Sequence, residues 1–86
     1  MTTANKDGNT MLHFAAAGDN AGLVAALSQQ HGEDVNAQNH LGQTPLHVAY
    51  KHGKLENALL LIQNGANVSA KDTDGKIPSD FDTSAI

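Results

Sequence analysis

The chain has 86 residues and a mass of 9.0 kDa, which is the size of one small domain. It contains no Cys, no Trp, one Tyr and two Phe, which excludes a disulfide framework and a core built from large rings. Five Lys against nine acidic residues give a net charge of −4, which argues against a nucleic-acid-binding surface, and no apolar run approaches the length of a membrane span.

The first half of the chain predicts two short helices and a turn. Thr10 is a good helix-capping residue, and the helix that follows it is expected to end near Gly18. A second helix is predicted over about residues 21–30. The polar, Gly-containing stretch 36–42 is typical of a turn.

The second half predicts the same order of elements. Thr44 precedes Pro45, a pair that favours a helix start because Pro at the first helical position gives up no useful N–H. This helix is expected to end near Gly53. A further helix is predicted over about 55–63, and an extended arm with a tight turn over 67–75. In that further helix the i, i+3, i+4 and i+7 positions of one helix face are apolar, at Leu55, Ala58, Leu59 and Ile62.

The two halves are copies of one unit. At an offset of 34 positions, Gly8, Thr10, Leu12, His13 and Ala15 recur as Gly42, Thr44, Leu46, His47 and Ala49. Farther along, the offset drops to 33, which indicates a one-residue insertion near positions 29–31. We therefore predict an N-terminal lead-in over 1–7, a first repeat over 8–40, a second repeat over 41–73, and a truncated capping repeat with a frayed tail over 74–86.

A period of about 33 residues, with a T-P-L-H-x-A helix start and a turn and two helices in each unit, resembles the ankyrin-repeat family. The resemblance covers about residues 5–81. It implies an all-α repeat solenoid, in which stacked antiparallel helix pairs are joined by β-turn or hairpin-like loops. It also implies that His13 and His47 are structural, each tying a helix start to its neighbour, and that Phe81 is the apolar anchor of the capping repeat.

Two residues depart from the family pattern in the second repeat. Tyr50 stands where a small Ala is usual, and Leu59 stands where a charged, solvent-facing residue is usual. Two alternatives follow for them, a local adjustment of the packing or an unusual contact surface.

The function that the resemblance implies is a non-enzymatic protein–protein interaction module, an adaptor or regulator. Its partner would be another protein, of unknown identity, bound through the turn tips and the first helix of each repeat. Leu41 is the most interesting tip residue, because an apolar side chain there is either a binding anchor or a solitary surface Leu. The positions that match the binding surface are Gln38, His40, Leu41, Gln43, Lys51, His52, Lys71, Thr73, Asp74 and Lys76.

An alternative function is a structural or assembly component that associates through an apolar end face. We expect the side of Phe14, Leu23 and Leu27 that faces away from the second repeat to be incompletely covered. Exposed apolar surface of that kind usually marks an interface, so a homo-oligomer joined through this face is a second possibility.

The remaining motifs argue against catalysis and bound cofactors. The sequence contains no H-E-x-x-H, P-loop or G-x-S-x-G motif, and His47 and His52 lie about 140° apart around a helix. We therefore expect no enzymatic activity, no cofactor and no metal. The polar N-terminus does not resemble a secretory signal, so we expect a cytoplasmic, or alternatively nuclear, protein with neither nucleic acid nor a membrane as partner.

Overall fold

The computed structural model describes residues 7–29 and 34–82. Within these ranges the chain forms four α-helices and one short 3₁₀ helix, with no β-strand. The α-helices are α1 (Met11–Ala17), α2 (Ala21–Ser28), α3 (Pro45–Lys51) and α4 (Leu55–Gln63), and the 3₁₀ helix is η1 (Pro78–Phe81). The prediction of an all-α repeat fold is therefore confirmed. Most of the predicted insertion near 29–31, and the last residues of the tail, lie outside the described ranges.

The same local bonds start the first helix of each repeat. The Thr10 backbone N–H donates to His13 Nδ1 at 3.0 Å, and the His13 N–H donates back to Thr10 Oγ1 at 3.4 Å. Thr44 and His47 repeat both bonds with the same two distances. Each pair is a reciprocal cap that satisfies backbone donors which a helix N-terminus otherwise leaves unpaired.

The two helix pairs stack in register. Within each repeat the two helices contact each other, and between repeats α1 contacts α3 while α2 contacts α4. The buried apolar core consists of small and aliphatic residues: Leu12, Ala15, Ala16, Val24, Leu27, Leu46, Val48, Ala49, Ala58, Leu61 and Ala66. No ring belongs to it within the described ranges, because the Ala positions bring the helices close enough for aliphatic side chains to fill the space between them.

The helix η1 packs against α3. Its Phe81 ring meets the His47 ring edge-on, with the ring centroids 5.8 Å apart and the planes at 69°. The Asp80 carboxylate accepts a hydrogen bond from the Ile77 N–H at 3.0 Å and so takes the capping part that His13 and His47 have in the full repeats. Tyr50 is half-buried against the core, which agrees with the packing interpretation of that residue.

No helix in 7–29 or 34–82 combines the length and the hydropathy that crossing a membrane requires.

Candidate binding surface

Two turn tips project from the helix stack, and they share one internal design. We call residues 38–43 the first tip and residues 71–76 the second tip. In the first tip, Asn39 Oδ1 accepts hydrogen bonds from the N–H groups of Leu41 (2.9 Å) and Gln43 (3.0 Å). In the second tip, Asp72 Oδ1 accepts from Asp74 and Lys76, both at 2.9 Å. A short side-chain acceptor thus shapes each turn from inside.

The donors around Asp72 also change its acidity. The backbone N–H of Lys76 is the largest influence that lowers the pKa of the Asp72 carboxyl below its ordinary value, because it bonds to the charged form. The carboxylate is therefore ionised at neutral pH and keeps both turn bonds.

The tips are joined to each other directly. The Thr73 N–H donates to the carbonyl oxygen of Leu41 at 3.0 Å, and the Gln38 side-chain amide donates to the Lys71 carbonyl at 3.3 Å. Gly42 adopts a φ of +74°, and a Cβ atom there would lie 2.8 Å from the Thr73 nitrogen. The close approach of the two tips therefore depends on the absence of a side chain at this position.

In each repeat one histidine connects the start of the first helix to the tip that follows that repeat. His13 Nε2 lies 2.8 Å from the Gln43 carbonyl oxygen, and His47 Nε2 lies 2.9 Å from that of Lys76. Since Nδ1 of each ring accepts a backbone N–H, Nε2 carries the proton and donates it to the carbonyl. Burial lowers the pKa of His13, which favours this neutral form. The predicted structural role of both residues is confirmed.

The first tip, α1 and α3 line a groove of about 370 Å³. Its lining residues are Asp7, Asn9, His13, Phe14, Ala17, Asn39, His40, Leu41, Gln43, Val48, Lys51 and His52. Five of the predicted contact residues are therefore brought together here, namely His40, Leu41, Gln43, Lys51 and His52. The other five predicted contact residues are exposed on the tips and do not line the groove; they are Gln38, Lys71, Thr73, Asp74 and Lys76.

Leu41 and Gln43 differ in how far they reach the surface. Leu41 is 57% exposed, so its side chain is open to a partner. The sequence predicts Gln43 as a second surface contact, and the structure corrects this, because Gln43 is only 8% exposed. Its side chain lies beside the Asp72 carboxyl of the next tip and helps to lower the pKa of that group.

Phe14 is a groove residue that the sequence places elsewhere. It is 55% exposed and lines the groove beside Ala17, three positions later on α1. Phe14 and Ala17 lie three residues apart and are equivalent to Val48 and Lys51 on α3. Because residues three apart share a helix face, this equivalence indicates from the sequence that Phe14 faces the groove.

Phe14 also borders a second recess, of about 290 Å³, at the N-terminal end of the stack. Met11 and Leu23 are exposed there, as the prediction of an apolar end face requires. Leu27 is the exception and a correction, since it is 5% exposed and belongs to the core between the helices.

Beside this recess, the loops that link the two helices of each repeat are joined across the repeats. The Lys54 ammonium forms an ion pair with the Asp19 carboxylate and lowers the pKa of Asp19. The Asn57 side-chain amide donates to the carbonyl oxygens of Ala16 at 3.0 Å and Gly18 at 2.9 Å. Asn57 thereby satisfies carbonyls that the C-terminus of α1 leaves unpaired.

The described residues offer no obvious metal centre. Nowhere in 7–29 and 34–82 do three or more His, Asp or Glu residues converge in an arrangement that could hold an ion.

Comparison with known proteins agrees with this architecture. The profile of a family described as ankyrin repeats (3 copies) matches residues 1–72. Protein phosphatase 1 regulatory subunit 27 of Homo sapiens is 35% identical over 81 residues, which is 94% of this chain and 52% of that protein. Mouse BCL-6 corepressor-like protein 1 is 38% identical over 71 residues, or 83% of this chain and 4% of that protein. Chicken NF-kappa-B inhibitor alpha is 34% identical over 76 residues, or 85% of this chain and 24% of that protein. The chain thus spans at most about half the length of these three relatives.

Proposed function

Because the chain belongs to the ankyrin-repeat family, whose repeats are non-enzymatic modules that mediate protein–protein interaction, we propose that it is an adaptor or regulator that binds a partner protein through its turn tips and first helices. Two relatives are named as a phosphatase regulatory subunit and an NF-kappa-B inhibitor, and these names favour a regulatory role. The proposal includes a cytoplasmic or nuclear location and no nucleic-acid or membrane partner.

The observation that carries this proposal is the groove. Its walls combine two large exposed apolar side chains, Phe14 and Leu41, with the exposed polar side chains of His40, Lys51 and His52. Binding energy at protein interfaces concentrates where large side chains enter pockets ringed by polar residues. Leu41 is held in place from both sides of its backbone, since its N–H bonds to Asn39 and its carbonyl to Thr73. Such an anchor loses little further freedom when it is buried.

The proposed contacts extend from the groove onto the outer parts of the tips. These parts present the remaining exposed residues of the proposed surface, Gln38, Lys71, Thr73, Asp74 and Lys76.

An affinity pull-down with the intact chain tests this function. The bait is compared with a double variant, Leu41→Ala with His40→Ala, that removes two groove side chains without touching the buried core. A matched control, Leu59→Ala with Gln63→Ala, truncates two exposed side chains on α4 instead. We expect the control to retain the captured partner and the groove variant to lose it. Equal capture of the partner by both variants would show that the groove is not part of the binding surface.

A second candidate function is assembly through the apolar end face, and the recess formed by Met11, Phe14 and Leu23 favours it. Under this alternative, copies of the chain associate and their stability depends on concentration. Sedimentation and thermal melts over a wide concentration range separate the two functions. A monomer in sedimentation, with a melting temperature that does not change with protein concentration, would contradict self-association. The charge reversals Lys51→Glu and Lys71→Glu together should abolish partner capture by the groove and the second tip and leave end-face assembly intact.

A further inference from the structure

We propose that the groove binds an acidic segment of the partner that carries one large apolar side chain, with the apolar side chain against α1 and the acidic residues against α3. This inference rests on the proposed function, because it takes the groove as the place where the partner binds.

The first observation is that the two repeats present different chemistry at equivalent positions. On α1, Phe14 and Ala17 line the groove three residues apart. On α3, 34 residues later, Val48 and Lys51 occupy the same two positions and also line it. The groove therefore changes from apolar to cationic along the axis of the stack, and it gives a bound segment a defined direction.

The apolar end of the groove is open to a large side chain. Phe14 is 55% exposed, whereas its counterpart Val48 is 9% exposed. The helix α3, which carries Val48, packs against α1, α4 and η1, whereas α1 packs only against α2 and α3 among the described helices. Ala17 leaves space beside that ring, and Leu41 approaches the groove from the first tip. An apolar side chain placed between Phe14 and Leu41 removes apolar surface from water on both of its sides.

The other end of the groove carries a positive charge, on Lys51, with which no described carboxylate forms an ion pair. In the described part of the chain, the ion pair that forms joins Lys54 to Asp19, and no carboxylate lies within ion-pair distance of Lys51. Lys71 and Lys76, on the adjoining second tip, are likewise exposed and without an ion pair among the described residues. Among the described residues that line the groove, Asp7 is the one with a carboxyl group, and it already interacts with another group of the chain.

This arrangement differs from the overall charge of the molecule. The net charge is −4, yet Lys51 lies at the groove without an ion pair among the described residues. The second tip beside it carries Lys71 and Lys76 together with Asp72 and Asp74. Complementary charge steers an oppositely charged partner to a surface and sets its orientation. A carboxylate-bearing segment therefore fits this end, and a basic segment does not.

The geometry also gives the spacing within the segment. Two packed helices lie about 8 to 10 Å apart, and an extended chain advances about 3.3 Å per residue. An acidic residue about three positions from the apolar residue therefore reaches Lys51 while the apolar side chain lies against Phe14.

Three synthetic twelve-residue peptides in a Ser/Gly background test the inference. The first carries one Phe with Glu three and four positions away, the second has Lys in place of both Glu, and the third has Ser in place of Phe. Each is titrated into the ¹⁵N-labelled chain while the backbone amides are followed by NMR. We expect the first peptide to shift the amides of Phe14, Leu41 and Lys51 saturably, with a Kd at least about fivefold lower than that of the other two.

Two variants with the same change in net charge supply the control. Lys51→Gln removes a positive charge from the groove, and Gln63→Glu adds a negative charge on α4, outside the groove lining. We expect only Lys51→Gln to weaken binding of the Glu peptide, and higher salt to weaken it in the unaltered chain.

Three results would overturn the inference: tighter or equal binding of the Lys peptide, equal effects of the two variants, or no saturable shift at the groove amides. These results do not affect the pull-down. If the pull-down shows that the groove binds a partner and the peptides fail, the proposed function stands and only the chemistry inferred for the partner is wrong.

Discussion

The side-chain amide of Asn57 donates a hydrogen bond to the carbonyl oxygen of Gly18, 2.9 Å away, and so closes the end of α1 from the neighbouring repeat. The equivalent position in the first repeat, 34 residues earlier, is Leu23. At this equivalent position the second repeat therefore has a buried side chain that forms hydrogen bonds, Asn57, and the first repeat has an exposed apolar side chain, Leu23.

Replacing Asn57 with Leu should destabilise the fold. Asn57 is 3% exposed, and its loss leaves the carbonyls of Ala16 and Gly18 without their donor, which costs about 1 to 3 kcal/mol for buried groups of this kind. Urea denaturation followed by circular dichroism measures the change. The exposed neighbour Glu56, changed to Gln, serves as control and should leave the midpoint nearly unchanged. A midpoint for Asn57→Leu equal to that of the control would contradict the role of the side-chain bonds.

Stability should fall in mild acid because of His13. Burial is the main cause of its lowered pKa, so the unfolded chain, with a His pKa near 6.5, binds a proton that the folded state resists. The contribution of His13 is therefore complete above about pH 6.5 and is lost as the pH falls through the lower pKa of the folded state. Protonation of Nδ1 also breaks its bond with the Thr10 N–H. The free energy of unfolding, measured from pH 7.5 to 5, should decline less steeply in a His13→Gln variant, and an identical slope would exclude His13 as the source.

Gly42→Ala should cost more stability than Gly75→Ala. Both glycines have a positive φ, +74° and +80°, so each substitution carries the backbone penalty of about 1 to 2 kcal/mol. A Cβ at Gly42 would also lie 2.8 Å from the Thr73 nitrogen, whereas one at Gly75 meets no atom within 4 Å. The difference between the two melting temperatures measures the contact between the tips, and equal losses would show that the tips separate without cost.

Leu27→Ala and Leu23→Ala should differ sharply although both residues lie on α2. Leu27 is 5% exposed, and truncation of a buried Leu costs about 2 to 5 kcal/mol. Leu23 is 41% exposed, so its truncation should cost well under half as much. Circular dichroism at 25 °C shows whether each variant remains folded. Comparable stability of the two variants would contradict the placement of Leu27 in the core.

The fold can be predicted from the sequence because the local helix-capping residues and the 34-residue repeat indicate the same elements. Thr10 and Thr44 each cap a helix locally, and the 34-residue offset between them also implies that the two helices are equivalent and stack. The sequence predicts α4 over the residues that it occupies, 55–63, because its apolar spacing and the glycine that follows it agree.

The errors concern residues whose environment depends on another repeat. Gln43 follows Gly42 in what looks like an open turn, yet in the folded chain its side chain is buried beside Asp72 of the next tip. The sequence places Leu27 on the end face, but Leu27 is buried, as is its equivalent Leu61 in the second repeat. The partner-binding role of the tip residues stays a prediction, because exposure shows what is accessible and does not identify what binds.

The two buried imidazoles have a consequence for how the molecule unfolds. Each ring has hydrogen-bond partners in its own helix start and in the tip that follows, so both of its nitrogens are satisfied only while both segments are ordered. Melting of one tip leaves a buried donor without its acceptor and weakens the helix that the same ring caps. The linkage makes unfolding cooperative across the repeat boundary, so that a stack held together by contacts between neighbours loses its order as one unit.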